Sequence, residues 1–307
     1  MGHYNLYHTL CAMPLLALAL TSCSSEEVQP TTDSGTPLQV RLSGISTRAD
    51  IISSTTLPEE SRFGIFVTEG DQTLYRGSNE FNIPVWYVKG SCSPDRQIML
   101  DMASRHVYAY YPYNANFSSN TPVLSVETKS QTDYLYGKAI DSDEHLATIN
   151  AVNPVANIQL KHVMALLTLH VQQDTLQGNG TCHVEGIRFS GVGTSGSVDL
   201  KAGSISVSSS THEMSNVSFY PSTSKPTTCQ ALVIPTSYQV SVSLKLDGVW
   251  SDYVALASKI NSGYNYNFNV TVYSAGRLEV SETSIEPRTS VYSGSLTGYG
   301  SATPTGI

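Results

Sequence analysis

Apolar and polar residues alternate along most of the chain with a period of two. Leu38, Val40 and Leu42 alternate with polar neighbours, which is the pattern of a half-buried strand. The other segments predicted to be strands are 63–67, 107–113, 158–171, 182–189, 204–207, 217–220, 230–234, 240–246 and 264–273. They follow one another at intervals of about ten residues, with Gly, Ser, Asn and Pro between them. This spacing predicts an all-β fold of antiparallel β-sandwiches.

One segment, residues 161–169, is also compatible with a helix. The alternation of Val163, Ala165, Leu167 and Leu169 favours a strand there. The length of 307 residues predicts two domains at about 150 residues each.

The turn-rich stretch around Asn153-Pro154 gives the best boundary between those domains. We therefore expect two tandem β-sandwiches of transthyretin-like or Greek-key type. The first covers residues 37–154 and the second covers residues 155–307, including a tail rich in Ser, Gly and Thr.

The N-terminal segment is predicted to be a targeting sequence. Residues 10–20 form an apolar run that is too short to span a bilayer and is typical of a secretory signal. The run is followed by Leu20-Thr21-Ser22-Cys23, which resembles a bacterial lipobox, so that cleavage before Cys23 and lipidation of its thiol are expected. The alternative is an ordinary secretory signal with an incidental cysteine. Residues 1–22 are thus a signal peptide, and residues 23–36, rich in Ser, Thr, Pro and acidic residues, are a flexible tether.

Composition excludes several classes of function. A net charge of −8, with only 14% charged residues, argues against a nucleic-acid binder. Apart from Cys11 in the signal and Cys23, the cysteines are Cys92, Cys182 and Cys229, and no two have the C-x-x-C spacing of a zinc or redox site. A bridge between Cys182 and Cys229 stays open.

Signatures of catalysis do not fit their surroundings. The stretch 191–196 matches G-x-G-x-x-G, but the Ser-rich alternation after it predicts a β-turn rather than the start of a nucleotide-binding helix. No His pair has metal-binding spacing, and we interpret His162 as a core or interdomain residue. The acidic residues 141, 143 and 144, with Asp133, lack the pattern of a calcium loop. The sequence therefore predicts no enzyme activity, no cofactor and no metal.

Several short motifs, taken in order, resemble the fimbrillin family of Bacteroidales. They are Thr47-Arg48-Ala49, Phe63-Gly64-Ile65-Phe66, Tyr108-Ala109-Tyr110-Tyr111-Pro112, Asp133-Tyr134-Leu135-Tyr136-Gly137, Leu160-Lys161-His162-Val163-Met164-Ala165, Ile234-Pro235 and Gly263-Tyr264-Asn265-Tyr266-Asn267-Phe268. The resemblance implies a type V pilus subunit, exported as an outer-membrane lipoprotein, cut at an arginine and polymerised with other fimbrillin subunits by strand exchange. The ending Ile285-Glu286-Pro287-Arg288, followed by a long extension, departs from the family.

The first strand is the predicted exchanged element, with Leu38, Val40, Leu42 and Ile45 filling a groove of the first sandwich. Arg48 follows directly and is the predicted processing site, although it could equally be an exposed loop charge. Arg41, inside the strand, is the weaker choice.

The donor strand is expected near the C-terminus, in residues 277–285 or in the tail from Val291. The tail has few branched apolar residues. A subunit with a groove and a weak donor would lie at the tip of a pilus.

Two other classes of function remain open. A surface glycan-binding lipoprotein of a nutrient-uptake system would use Trp86 and Trp250, with Tyr87 and Tyr253, as stacking platforms. A glycosidase would need a pair of carboxylates in a cleft. A subunit at the cell surface could also bind a host or bacterial ligand.

Overall fold

The computed structural model describes residues 35–46, 51–52, 57–70, 73–75, 81–117, 122–174, 184–207, 212–214, 218–220, 227–273, 276–288 and 291. Within these residues the protein is all-β, with twenty-three strands and no α-helix. The predicted all-β fold is therefore confirmed. The signal peptide, Cys23, Arg48 and Cys182 lie outside the described residues. No helix in the described part is long and apolar enough to cross a membrane.

The first half of the chain forms one large curved sheet. Its strands and the neighbouring short ones are β1 (Thr36–Pro37), β2 (Gln39–Ser46), β3 (Ile51–Ile52), β4 (Ser61–Glu69), β5 (Ile83–Val88), β6 (Ser91–Pro94), β7 (Met99–Leu100), β8 (Arg105–Tyr111), β9 (Val123–Glu127), β10 (Leu135–Ala139) and β11 (Val155–His162). Eight of them pair in the order β3-β2-β11-β10-β8-β4-β5-β6, and β1 pairs with β7. β2 also contacts β6, so the sheet curls around a core that includes Phe63, Ile65, Val107 and Ile158.

The second half forms a β-sandwich. Its strands are β12 (Ala165–Gln173), β13 (Val184–Val192), β14 (Ser195–Asp199), β15 (Ile205–Val207), β16 (His212–Met214), β17 (Ser218–Tyr220), β18 (Thr227–Val233), β19 (Val240–Leu246), β20 (Val249–Trp250), β21 (Val254–Ala257), β22 (Tyr264–Val272) and β23 (Leu278–Pro287). One sheet has the order β17-β18-β12-β22-β23, and the other contains β16, β13, β19, β20 and β21. Leu167 and Phe268 from the first sheet share a core with Phe189 and Val242 from the second.

The two halves are joined by a third core. β9 from the first half pairs with β14 from the second, and β14 pairs with β15. Behind this small sheet, Phe66 and Tyr110 pack in one cluster with Met164, Leu232 and Ile234. Residues 35–307 accordingly form one compact unit.

The structure changes two details of the predicted architecture. Neighbouring strands are not all antiparallel, because β2 is parallel to β11 and β12 is parallel to β22. The predicted single strand 158–171 is two strands, since β11 ends at His162 and β12 begins at Ala165. β11 pairs with β2 and β10 of the large sheet in the first half. The chain therefore passes from that sheet to the sandwich of the second half at residues 163–164 and not at 154. The division into two domains itself stays a prediction.

The glycine-rich stretch 191–196 connects two strands, as the sequence predicts. β13 ends at Val192 and β14 begins at Ser195. Gly191 has a φ of +79°, and a Cβ atom on it would lie 1.9 Å from the carbonyl oxygen of Gln239. The glycine therefore serves a close backbone contact at the end of β13, next to the short connection at residues 193–194.

Candidate strand-exchange site

The predicted exchanged strand β2 lies inside the first sheet, between β3 and β11. Leu38, Val40 and Ile45 are buried, with exposed fractions of 6%, 5% and 1%. Leu42 is partly buried against the same core. The four residues predicted from the sequence thus share the inner face of the strand.

A β-bulge explains why their spacing changes from two residues to three. Leu42 is opposite Ile158 and Gly44 is opposite Gln159, so that Ser43 is the extra residue. The hydroxyl of Ser43 donates a hydrogen bond to the carbonyl oxygen of Ile158 at 3.0 Å. Gly44 has a φ of +143°, which L side chains rarely adopt. The bulge returns Ile45 to the core face.

The segment that contains β2 is hydrogen-bonded at its start to two other segments of the first half. The amide of Leu38 donates to the carbonyl oxygen of Ile98, and that of Gln39 donates to the carbonyl oxygen of Pro154, both at 2.8 Å. Cys92 of β6 packs against the same core, and burial raises the pKa of its thiol to about 11. Removal of β2 would expose these groups and leave one edge of β11 unpaired.

At the opposite end of the chain, β23 is an edge strand of the second half. It pairs antiparallel with β22 along its length. Leu278 is buried, Val280 is partly buried, and Ile285 is 46% exposed. Most of its side chains face solvent, so β23 contributes little to the second core.

β23 repeats the apolar pattern and the bulge of β2. Residues 38–46 read LQVRLSGIS and residues 278–286 read LEVSETSIE, so that Leu, Val and Ile occupy the same three places. Thr283 is the extra residue of the bulge in β23, and its hydroxyl donates to the carbonyl oxygen of Asn267 at 3.0 Å. Glu282 stands where β2 has Leu42. The two strands thus share the inward-facing Leu, Val and Ile and the hydroxyl residue of the bulge, but differ at two places that bear on the fit, with Glu282 for Leu42 and Ser284 for Gly44.

A buried cluster of charged residues fixes the end of β23 to the junction between the halves. Arg288 donates to both carboxylate oxygens of Asp133, at 2.9 and 2.5 Å. His162 Nδ1 lies 3.2 Å from the same carboxylate, and all three side chains are almost completely buried. Within the described structure His162 Nε2 has no hydrogen-bond partner. We call this cluster the junction triad.

The charges of the junction triad are set by their surroundings. Burial raises the pKa of Asp133, but the nearby Arg288 and His162 outweigh it, so the net pKa of this carboxyl is lowered. Burial lowers the pKa of His162, and this effect is larger than the opposing influence of Asp133. The triad therefore contains an Asp–Arg ion pair beside a histidine whose neutral form is favoured by burial.

The aromatic residues considered as glycan platforms are covered by arginine. The guanidinium of Arg62 lies 3.7 Å from the ring centre of Trp86, and that of Arg188 lies 4.2 Å from that of Trp250. Tyr87 is buried in the first core. These contacts argue against a stacking role for either tryptophan. No group of three metal-ligating side chains occurs among the described residues.

Solved structures share this fold. A candidate cell adhesion protein from Bacteroides uniformis has a TM-score of 0.63 at 17% identity, covering 83% of this chain and 98% of that one. A second, from Bacteroides ovatus, has a TM-score of 0.60 at 16% identity, with 82% and 98% covered. A fimbrial protein from Bacteroides vulgatus has a TM-score of 0.53 at 12% identity, with 82% and 99% covered. No curated protein is significantly similar to the chain in sequence.

These similarities define the chain as an all-β protein of the same sandwich architecture. The fimbrillin-like family matches residues 47–287, and the chain belongs to that family. The resemblance seen in the sequence motifs is thereby confirmed. Membership supports a fimbrial subunit at the cell surface, in a family of structural subunits that are in general non-enzymatic.

Proposed function

We propose that this protein is a non-enzymatic fimbrial subunit that assembles by replacing its own β2 with β23 of another copy or of a related subunit. The proposal is carried by the match between the two strands, which share Leu, Val and Ile at the same places and a bulge with a hydroxyl residue. A strand with this pattern can reproduce the burial and the pairing that β2 provides.

In the precursor, β2 occupies its own groove and keeps the subunit monomeric. Lipid on Cys23 anchors the precursor to the outer membrane, and cleavage after Arg48 separates the lipid and β2 from the rest of the chain. The matched region begins at residue 47, so β2 lies outside it, as expected of a segment that the assembled subunit lacks.

The energetic cost of losing β2 keeps the precursor closed until it is cut. Burial of Leu38, Val40 and Ile45 contributes about 1.5–3 kcal/mol for each fully buried side chain. The unpaired edge of β11 adds the cost of unsatisfied backbone groups. An incoming β23 restores most of the lost burial through Leu278, Val280 and Ile285, and its backbone pairs with the free edge of β11. Glu282 restores less, because a carboxylate would take the half-buried place of Leu42.

The choice of donor bears on the position of the subunit in the fimbria. The sequence predicted a tip position because the tail after Val291 has few apolar residues and would be a weak donor strand. With β23 as donor, the chain has both a groove and a fitting strand, and an accessory or stalk position is equally compatible.

Controlled cleavage tests the proposal. The purified chain is cut with an arginine-specific protease, and binding of a labelled peptide of residues 277–288 is measured by fluorescence anisotropy. We expect binding after cleavage and none before it. Arg48→Ala should abolish the gain, whereas Arg41→Ala, a matched change at an exposed arginine of β2, should not.

A second peptide tests the pattern itself. Val280→Asp places a charge in the buried site of Val40 and should prevent binding, while Ser281→Asp, on the outward face, should not. Equal binding of both peptides would show that the apolar face does not select the donor. Binding of a peptide from residues 289–307 instead would assign the donor to the tail.

A further inference from the structure

A pocket opens at the edge of the first half, away from the junction triad. It has a volume of about 410 Å³, which is within the range of small-molecule sites. Its walls come from the start of β5, the turn after β6 and the segment after β8. All of these lining residues are described, and none belongs to β2 or β23.

The floor of the pocket is held by a closed hydrogen-bond network. Asn82 has a φ of +58° and is 8% exposed. Its amide nitrogen donates to the carbonyl oxygen of Asn114 at 2.8 Å, and its carbonyl oxygen accepts from the hydroxyl of Tyr110. The amide of Asn114 donates to that hydroxyl at 3.1 Å. Two hydrogen bonds hold the left-handed Asn82 directly, and the third ties their partners Asn114 and Tyr110 together, so this part of the lining is rigid.

The aromatic wall is also fixed. The ring of Phe117 lies 5.1 Å from that of Phe66 and 5.2 Å from that of Tyr110, measured between ring centres. Phe81 and Tyr113 complete this wall and are each partly buried. These partly buried rings supply the apolar part of the lining, and because they are already held in place they need not be ordered on binding.

The polar wall carries both a donor and an acceptor. Asp95 and Arg96 are exposed neighbours at the rim, and Asp95 Oδ2 also lies 3.9 Å from Arg62. The amide of Asp95 donates to the carbonyl oxygen of Pro84 at 2.9 Å, which fixes the turn. The lining contains one acid and one base, so it favours a neutral ligand over an ion.

The lining combines partly buried aromatic rings with side chains that donate and accept hydrogen bonds, and a sugar is a neutral ligand that uses both. The C–H face of a hexose packs on aromatic rings, while its neighbouring hydroxyl groups bind a carboxylate and a guanidinium. From this arrangement we propose that the pocket binds a neutral hexose unit of a glycan, with Asp95 and Arg96 on its hydroxyl groups and Tyr113 and Phe117 on its face.

Binding is tested on the full chain with four probes: methyl α-mannoside, methyl β-galactoside, methyl α-fucoside and N-acetylglucosamine. Saturation-transfer difference NMR detects contact at millimolar affinity, and titration gives the dissociation constant. We expect at least one probe to bind. Asp95→Asn should weaken it about tenfold, as loss of one good polar contact does, while the exposed Asp143→Asn should leave it unchanged.

A substitution that fills the pocket tests binding without removing any contact of the folded protein. Ala115→Trp adds an indole to an exposed residue of the pocket and should abolish binding, while Ala103→Trp, at an exposed residue outside the pocket lining, should not. Absence of binding for all four probes overturns the proposal, as does binding that survives Ala115→Trp. Because no lining residue is exchanged, these outcomes are independent of strand exchange.

Discussion

Arg288 and Asp133 are 155 residues apart in the chain and form a bidentate salt bridge that is almost completely buried. Arg288 follows directly after β23, and its amide donates to the carbonyl oxygen of Gly263 at 2.9 Å. Asp133 precedes β10 of the first sheet. The pair therefore attaches the end of the candidate donor strand to the first half, and donation of β23 to another subunit would have to break it.

Removal of the arginine should strongly destabilise the protein. Arg288→Met leaves the carboxylate of Asp133 buried without its partner, which costs about 3–5 kcal/mol in such cases. Urea unfolding followed by circular dichroism measures the change. Arg277→Met, which removes an exposed arginine stacked on Tyr273, is the control and should cost less than about 1 kcal/mol.

The double variant Asp133→Asn/Arg288→Met separates charge from packing. Without either charge, the free energy of unfolding should recover in part toward the wild-type value. A double variant as unstable as the sum of the two single ones would contradict the pairing.

Acid should weaken the protein through His162. Its pKa is lowered in the folded state, so the unfolded chain takes up the proton first. The stability that depends on neutral His162 is thus present above about pH 6.5, the ordinary histidine value, and is lost as the pH falls below it. Asp133, whose pKa is also lowered, adds a second loss below about pH 3.9.

Unfolding measured between pH 7 and pH 4.5 should therefore show a falling free energy in the wild type. His162→Asn should flatten this slope. His145→Asn, which changes an exposed histidine, should keep it. A slope that is unchanged in His162→Asn would locate the acid sensitivity elsewhere.

The mismatch between Leu42 of β2 and Glu282 of β23 predicts a gain of affinity. In the donor peptide, Glu282→Leu restores the residue type of Leu42 and removes a carboxylate from a half-buried place. We expect roughly five- to tenfold tighter binding to the cleaved subunit, equivalent to about 1–1.4 kcal/mol. Glu279→Leu, which corresponds to the exposed Gln39, should give no comparable gain in the same anisotropy assay.

Membrane attachment should depend on Cys23. Cys23→Ala should leave the precursor without lipid and move it from the detergent phase to the aqueous phase in Triton X-114 partitioning. Cys92→Ala is the matched control, because Cys92 lies in the folded part. Unchanged partitioning of Cys23→Ala would exclude the lipoprotein assignment.

The sequence predicted the strands in which apolar and polar residues alternate without interruption. Val240–Leu246 has the predicted bounds, and Tyr264–Val272 differs by one residue, because their apolar residues alternate without interruption. β9 and β10 were missed: their few apolar residues lie next to Ser, Gly and Lys. β23 overlaps residues 277–285, which the sequence offered only as one of two places for a donor strand, because three glutamates and a bulge interrupt its pattern.

The sequence by itself determined the all-β class, the family and the inner face of β2, since period-two patterning and motif order are local properties of the chain. Only the tertiary structure decided that β11 lies in the first sheet between β2 and β10, that β2 runs parallel to it, and that Asp133, His162 and Arg288 meet. These are contacts between residues far apart in the chain, fixed by how the sheets pack. The aromatic and charged walls of the pocket were likewise invisible, because three separate segments supply them and none has a pattern of its own.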